Sequence, residues 1–347
     1  MAFITTLHWN LEDYGPTKWG DANNHQFVQY IATVVNHVNA DIFTMVEVKN
    51  SIAPNLIHSL AAEINTLQGI IAPNPWRGVA LHSGKNNEAY IVMYRTDRKF
   101  LPYSLTYAPG AYVIPEFGLC DRRVNGTQIK FPSPDTPAGG RKPFYVIFQT
   151  TDTNKIFSVL SYHAMYGSKT QLGLHYLPHC KCVTQLDAVT PIVASLLAGD
   201  FNVDFNDNHA DYTSIIALPS HAATNEDTSL KNHPISSNNP LTFRANAYDN
   251  IFQKVPAAGG IANPGQVIDL MVESSLVLVP QPPPPAAQPR TGYLSAVAGS
   301  FNVADIPNQA QLVNPLVNLP PNDMDTAWAF VRNAISNHYP VVVTTTI

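Results

Sequence analysis

Acidic, amide and imidazole residues stand at the ends of apolar runs in this chain, and they would meet at one rim if those runs were strands of packed sheets. Asn10 follows Leu7-His8-Trp9, Glu47 follows Ile42 to Val46, Glu88 precedes Ala89 to Tyr94, and His163 follows Phe157 to Tyr162. Asp200 and Asn202 sit in Ala-Gly-Asp-Phe-Asn, Asp249 in Ala-Tyr-Asp-Asn-Ile-Phe, and His338 in Ser-Asn-His-Tyr-Pro-Val. Carboxylates gathered away from bulk water repel one another, and a hard divalent cation relieves them. Mg²⁺ suits this role because it takes one or two carboxylates and keeps several waters. The same ion polarises a phosphoryl oxygen and stabilises a leaving alkoxide, while histidine moves protons near neutral pH. These residue types fit metal-assisted hydrolysis of a phosphoester.

The elements that must position them can be read from periodicity. Residues 3 to 9 read as a buried strand ended by the turn residues Asp13, Gly15 and Pro16. Phe27, Tyr30, Ile31, Val34, Val35 and Val38 recur at helical spacing before the apolar strand Ile42 to Val46, and a second helix is expected from about Leu56 to Leu67. Ala89 to Tyr94 is a strand, and Pro143 to Thr150 and Lys155 to Tyr162 form a hairpin across Thr-Asp-Thr-Asn. A helical segment from Gln171 to Ser195, broken near Pro178, leads to the strand Leu196 to Ala198. The stretch from about 255 to 322 is rich in Pro and Ala, includes the run Pro282 to Pro285, and reads as an insertion in a single domain spanning 1–347. A helix from Thr326 to Ile335 and a strand from Tyr339 to Thr346 return the chain to the core. No internal repeat is evident.

Composition bounds the partners. Hydrophobic residues at 45% of 347 are enough for a sizeable core, and charged residues at 13% are about half the usual share. A formal charge of -5 gives no bulk attraction to a polyanion, so nucleic acid would need a local basic patch or a metal. Three cysteines, Cys120, Cys180 and Cys182, imply no disulfide framework. No run approaches the roughly 18 apolar residues of a membrane span. The N-terminus lacks a secretory signal pattern, so the chain is expected to be cytosolic or to have had a signal removed. His175, His179, Cys180 and Cys182 include the i, i+4 spacing of some zinc sites, but Pro178 interrupts the helix and ordinary helix and loop residues are the plainer reading.

In order along the chain, these motifs resemble the endonuclease/exonuclease/phosphatase superfamily. Ala-Asp-Ile-Phe-Thr-Met-Val-Glu47-Val is similar to its first metal-ligand motif and Gly199-Asp200-Phe201-Asn202 to its most recognisable signature. Asn-Glu88-Ala-Tyr-Ile-Val-Met-Tyr-Arg95, Arg141-Lys-Pro-Phe and Ala-Tyr-Asp249-Asn-Ile resemble the pancreatic-type deoxyribonuclease branch, and the chain is also somewhat similar to the nuclease subunit of cytolethal distending toxins. The resemblance implies an α/β fold, a four-layer sandwich of two packed mixed β-sheets flanked by helices. It implies a Mg²⁺-dependent endonuclease acting on DNA, with Mn²⁺ or Ca²⁺ as alternative ions. By position, Glu47, Asn10 and Asn337 would serve the metal, and Asp200 and Asn202 would orient water and phosphate. His163 and His338 would be the acid and base, with Asp249 pairing with His163 and Glu88 with His338, as carboxylates orient imidazoles elsewhere. Arg141 and Lys49 would contact phosphate, with Lys18 and Lys85 nearby.

The pattern breaks at three positions. The family's Ser-Asp-His appears as Ser336-Asn337-His338, so a carboxylate is missing and metal binding should weaken. Glu12 stands where the deoxyribonucleases have an Arg, and Asn86 where they have a groove-contacting aromatic, which argues against efficient cutting of duplexes. The alternatives are therefore a phosphatase or phospholipase acting on a phosphoinositide or sphingomyelin-like headgroup, and a binding protein weakened by Asn337.

Overall fold

The computed structural model describes residues 1–16, 26–70, 73–83, 86–103, 117–120, 123–124, 127–128, 141–165, 174, 177–179, 183, 191–217, 220–231, 244–255, 260–268, 270, 332 and 336–347. Most of the insertion, its proline run, the expected helix Thr326–Ile335, most of the segment 171–195, and Lys18, Lys85, His175, Cys180 and Cys182 lie outside the described residues.

Two mixed sheets form the sandwich. One has the order β14-β15-β1-β2-β4-β3, built from β1 (Phe3–Tyr14), β2 (Ile42–Lys49), β3 (Trp76–His82), β4 (Glu88–Arg95), β14 (Gln266–Val267) and β15 (Val341–Thr346). The other has the order β12-β13-β11-β10-β9-β5, built from β5 (Phe100–Pro102), β9 (Phe144–Thr150), β10 (Ile156–His163), β11 (Ala194–Asp200), β12 (Ser220–Ala222) and β13 (Asp249–Lys254). β6 (Phe117–Leu119) pairs off this path with β9, and β7 (Arg123–Val124) pairs with β8 (Thr127–Gln128) in a separate two-stranded ribbon. Within each sheet one central pair is parallel, β1 with β2 and β10 with β11, while β4, β9, β13 and β15 run antiparallel to their neighbours. The ends of the parallel strands and the beginnings of β4, β13 and β15 therefore share one rim.

Side-chain alternation builds three apolar layers. Ile4, Ile42, Val92, Phe148, Val159 and Leu196 meet between the sheets. There the Phe148 ring lies edge-on to Tyr94 and Phe100 and stacked on Phe157, at centroid distances of 5.2, 5.3 and 5.4 Å. On the outer face of the first sheet, Phe43 and Met45 meet Tyr30, Val34 and Val35 of α1 (Gln26–His37) and Leu56, Leu60 and Ile64 of α2 (Ala53–Leu67). On the outer face of the second, Leu160, Tyr162 and Phe252 pack with Tyr212 and with Ile215 of α3 (Thr213–Ala217). Each large apolar side chain buried this way contributes about 1.5–3 kcal/mol, so the layers dominate the stability of the scaffold under the site.

Three readings change. β1 runs to Tyr14, because Glu12 and Asp13 adopt left-handed φ of 45° and 51° and bulge the strand instead of ending it. β3 was not anticipated from the sequence; its Gly78 and half-buried residues lack a clean alternation. β14 lies inside the range read as insertion, yet it pairs with β15. Cys120 is disulfide-bonded, which three cysteines allow without a disulfide framework. Among the described residues no helix is long and apolar enough to cross a membrane.

Candidate functional site

The rim residues reach their places through local backbone devices. Val46 faces the layer between the sheets but Val48 faces the helices, so the alternation inverts at Glu47. The cause is a bulge: Glu47 has φ 59° and the β2–β4 register shifts between Met45 and Val48. Asn202 is likewise left-handed at φ 51°. Gly199 keeps β11 tight against β10, since a Cβ there would lie 2.1 Å from the Tyr162 carbonyl oxygen. Register then sets His163 beside Asp200 and Asp200 beside Asp249.

Asp200 is the centre of the cluster. Its Oδ2 accepts a 2.8 Å hydrogen bond from Asn10 Nδ2 and lies 4.0 Å from His163 Nε2 and 3.8 Å from His338 Nε2, while its Oδ1 accepts the Asn202 N–H at 2.8 Å. Asn10 Nδ2 also donates to Glu47 Oε1 at 2.9 Å, and the same oxygen lies 3.3 Å from His163 Nε2. Glu47 Oε2 accepts the Asp13 N–H at 3.1 Å, and Asn202 Nδ2 donates to the Ala164 carbonyl at 2.9 Å. One rim therefore gathers Asn10, Glu47, His163, Asp200, Asn202 and His338.

The imidazole partners are the reverse of those expected. His338 Nδ1 donates to Asp249 Oδ2 at 2.7 Å, and His163 Nδ1 lies 3.4 Å from Glu88 Oε2. The reason is topological: β13 faces β15 and β4 faces β10 across the sandwich, so Glu88 meets His163 at the end of β10 and Asp249 meets His338 just before β15. Arg141, expected to contact phosphate, is engaged within the protein. It is buried, with Nη2 donating to Glu88 Oε1 at 2.9 Å and Nη1 to the Ala164 carbonyl at 3.2 Å. Lys49 is ion-paired with Asp13. Glu12 turns inward, its Oε2 accepting the Asn337 N–H at 3.0 Å.

Two residues not singled out in the sequence complete the frame. Thr228 Oγ1 donates to Asp249 Oδ2 at 3.1 Å and accepts the Asp249 N–H at 2.8 Å. Ser336 Oγ donates to the Asn10 carbonyl at 2.7 Å and accepts the His338 N–H at 3.0 Å, tying the last motif to the first. Ser336 was legible as part of its motif, whereas nothing near Thr228 marks it.

The electrostatics follow from burial and from these pairings. Burial opposes charge on Asp249, but the His338 imidazolium outweighs it and holds the carboxyl down at about 2. Burial likewise opposes charge on His338, and attraction to Asp249, with help from Asp200 and Glu47, raises it to about 10. Burial, and then repulsion from Asp249, push Asp200 above the usual carboxylate range. Glu47 lies below its ordinary value despite its burial, through attraction to His163 and His338 and the Asn10 hydrogen bond.

A pH dependence of stability follows. Asp249, depressed on folding, stabilises fully above its unfolded value near 3.8 and loses that contribution as pH falls through about 2. His338, raised on folding, stabilises fully below 6.5 and loses that contribution as pH rises through about 10. Without added metal, the pair is expected to be strongest between those unfolded values, with about 2 kcal/mol lost at the acid end. Urea unfolding of the wild type and His338→Gln across pH 2–10 checks this, the difference between them shrinking at both extremes.

Glu47, His163 and Asp200 bring ligand atoms within 4.8 Å of one another, as do Asp200, Asp249 and His338. The first group fits a divalent cation better. Its Glu47 and Asp200 carboxylates are drawn together by the shared Asn10 amide and approach His163 Nε2 at 3.3 and 4.0 Å, longer than a charge-assisted hydrogen bond. In the second, Asp249 is already engaged by His338 and Thr228.

No protein-family model matches the sequence, and no curated protein matches it. Solved structures do. A mannosyl-6-phosphatase of Bacteroides thetaiotaomicron aligns at TM-score 0.56 and 17% identity, over 99% of this chain and 100% of that one. An endonuclease/exonuclease/phosphatase family protein of the same organism aligns at TM-score 0.55 and 16% identity, over 99% and 98%. A humanized TDP2 of D. rerio aligns at TM-score 0.51 and 10% identity, over 100% of both chains. At these identities the likeness establishes the architecture: this chain has the α/β sandwich fold of endonuclease/exonuclease/phosphatase proteins.

Proposed function

We propose that the chain is a divalent-metal-dependent phosphodiesterase, an endonuclease acting on DNA through attack of water on phosphorus. The observation that carries this reading is the convergence of two carboxylate-backed imidazoles on Asp200, beside the carboxylate of Glu47. Glu47 and Asp200 would hold the cation, Mg²⁺ first and Mn²⁺ or Ca²⁺ as substitutes, with Asn10 and Asn337 as amide donors. When bound, the cation supplies charge neutralisation at the phosphoryl oxygens. Asp200 and Asn202 orient water and phosphate. His338 and His163 provide one proton acceptor and one donor, each with its Nδ1 turned to a carboxylate and its Nε2 toward the reacting centre. Arg141 steadies Glu88, and through it His163, and Lys49 lies at the rim near the phosphate path.

A second reading, hydrolysis of a small phosphoester, is favoured by the engagement of Arg141 with Glu88 and of Lys49 with Asp13. Both cations are paired with carboxylates of the protein itself, whereas duplex affinity depends on cations offered to phosphates. Comparing kcat/KM on supercoiled plasmid, a single-stranded oligonucleotide, 4-nitrophenyl phosphate and a phosphoinositide separates the readings. The endonuclease reading expects plasmid to be preferred by at least about 10-fold, and preference for a monoester would overturn it.

Asn337→Asp restores a carboxylate to the rim, close to Glu12. It is expected to lower the Mg²⁺ concentration for half-maximal rate by about 10-fold, in line with the effect of groups that tune metal sites. Identical rate curves for the two proteins through a Mg²⁺ titration would contradict this.

A further inference from the structure

His8 lies on β1, between Thr44 of β2 and Val341 of β15, and it is fully buried, as are Thr44 and Asp249. A buried imidazole must satisfy two ring nitrogens. Its Nδ1 is 2.9 Å from Thr44 Oγ1, and its Nε2 is 3.5 Å from Asp249 Oδ1. Neither His8 Nε2 nor Asp249 Oδ1 has a hydrogen-bond partner among the described residues, and there the 3.5 Å approach is the polar contact that each makes. The other carboxylate oxygen, Oδ2, is already taken by His338 Nδ1 at 2.7 Å and by Thr228 Oγ1 at 3.1 Å.

We propose that His8 is a positioning residue that holds the far oxygen of Asp249 and so fixes the carboxylate against His338. The tautomer follows from the partners. A carboxylate oxygen can only accept, so the His8 proton sits on Nε2, and Nδ1 accepts from the Thr44 hydroxyl. That hydroxyl has a weaker alternative in the Leu7 carbonyl at 3.4 Å. The result is a buried line of groups, Thr44 to His8 to Asp249 to His338, in which each member sets the orientation of the next. Without His8, Asp249 Oδ1 would be a charged oxygen facing apolar surroundings, and the carboxylate would turn to share its charge differently with His338.

The effect on turnover rests on the phosphoesterase reading; the arrangement of the four residues does not. The test uses the full chain with ¹⁵N-labelled histidine, comparing wild type, His8→Gln and His8→Leu. Gln keeps an N–H donor at similar reach, and Leu removes it at similar volume. The low-field proton of the His338 Nδ1–H bond is expected to keep its position in H8Q and to move upfield in H8L. With bis(4-nitrophenyl) phosphate, kcat is expected to fall about 10- to 100-fold in H8L with KM unchanged, and to return to within about threefold in H8Q. An unmoved His338 resonance in folded H8L, or equal losses in H8Q and H8L, would overturn the assignment. Should H8L fail to fold, the isosteric Thr44→Val frees the His8 ring and is expected to move the same resonance; no movement there overturns the assignment equally. Absence of turnover by the wild type counts against the phosphoesterase reading alone, and the resonance still decides the role of His8.

Discussion

Asp249→Asn is expected to lower kcat by about 10³- to 10⁴-fold while leaving KM within a small factor, the behaviour of a carboxylate that sets the tautomer of a catalytic imidazole. Asp249 receives the His338 Nδ1–H at 2.7 Å, which leaves Nε2 facing Asp200 and the reacting centre. An amide can present an N–H to Nδ1 instead. The ring would then be neutral, and its Nε2 a far weaker proton donor to the leaving oxygen than the imidazolium that Asp249 sustains. The side chain is isosteric and fully buried, and Thr228 still bonds it, so shape is preserved while the charge is lost. The check is steady-state kinetics beside circular dichroism. A folded Asp249→Asn protein with kcat within 10-fold of wild type would remove His338 from the mechanism.

Asp200→Ala is expected to abolish the response to divalent metal and to reduce turnover by about 10³-fold or more, on the scale of removing a key electrostatic group. Asp200 lies above the usual carboxylate range because of burial and the nearby Asp249 charge, so a cation bound beside it relieves an existing repulsion. Binding to the folded state alone stabilises by about 2.7 kcal/mol at a ligand concentration 100 times Kd, which a thermal melt resolves as a shift of several degrees. Mn²⁺ should therefore raise the melting temperature of the wild type and leave that of Asp200→Ala nearly unmoved. The readout needs no turnover. Equal shifts in the two proteins would place the cation elsewhere.

Most of the rim could be read from the chain because its residues sit next to strands whose apolar runs are unmistakable, as at Ile42–Val46 and Phe157–Tyr162. What could not be read depends on contacts between strands remote in sequence. Nothing in the residues around Asp249 says that β13 will lie across from β15, so its partnership with His338 rather than His163 appears only in three dimensions. The bulges were hidden for a different reason. Glu12, Asp13 and Glu47 take left-handed φ without glycine, a conformation their side chains disfavour and the surrounding sheet imposes. Glu12 and Asp13 therefore looked like the end of a strand when they form a bend within one. Arg141 reads as a phosphate grip by motif, yet its burial turns it onto Glu88, and burial at a segment preceding a strand has no periodic signature.

The proposed activity is tested most directly by the time course of supercoiled plasmid conversion to nicked circles in Mg²⁺ or Mn²⁺, beside EDTA and beside a protein carrying Asp200→Ala and His163→Ala. Nicking is expected to require the metal, to stop with EDTA and to be absent from the double variant. No nicking by a folded wild-type protein, with Asn337→Asp equally silent, would contradict it and leave the rim to a small phosphoester or to binding without turnover.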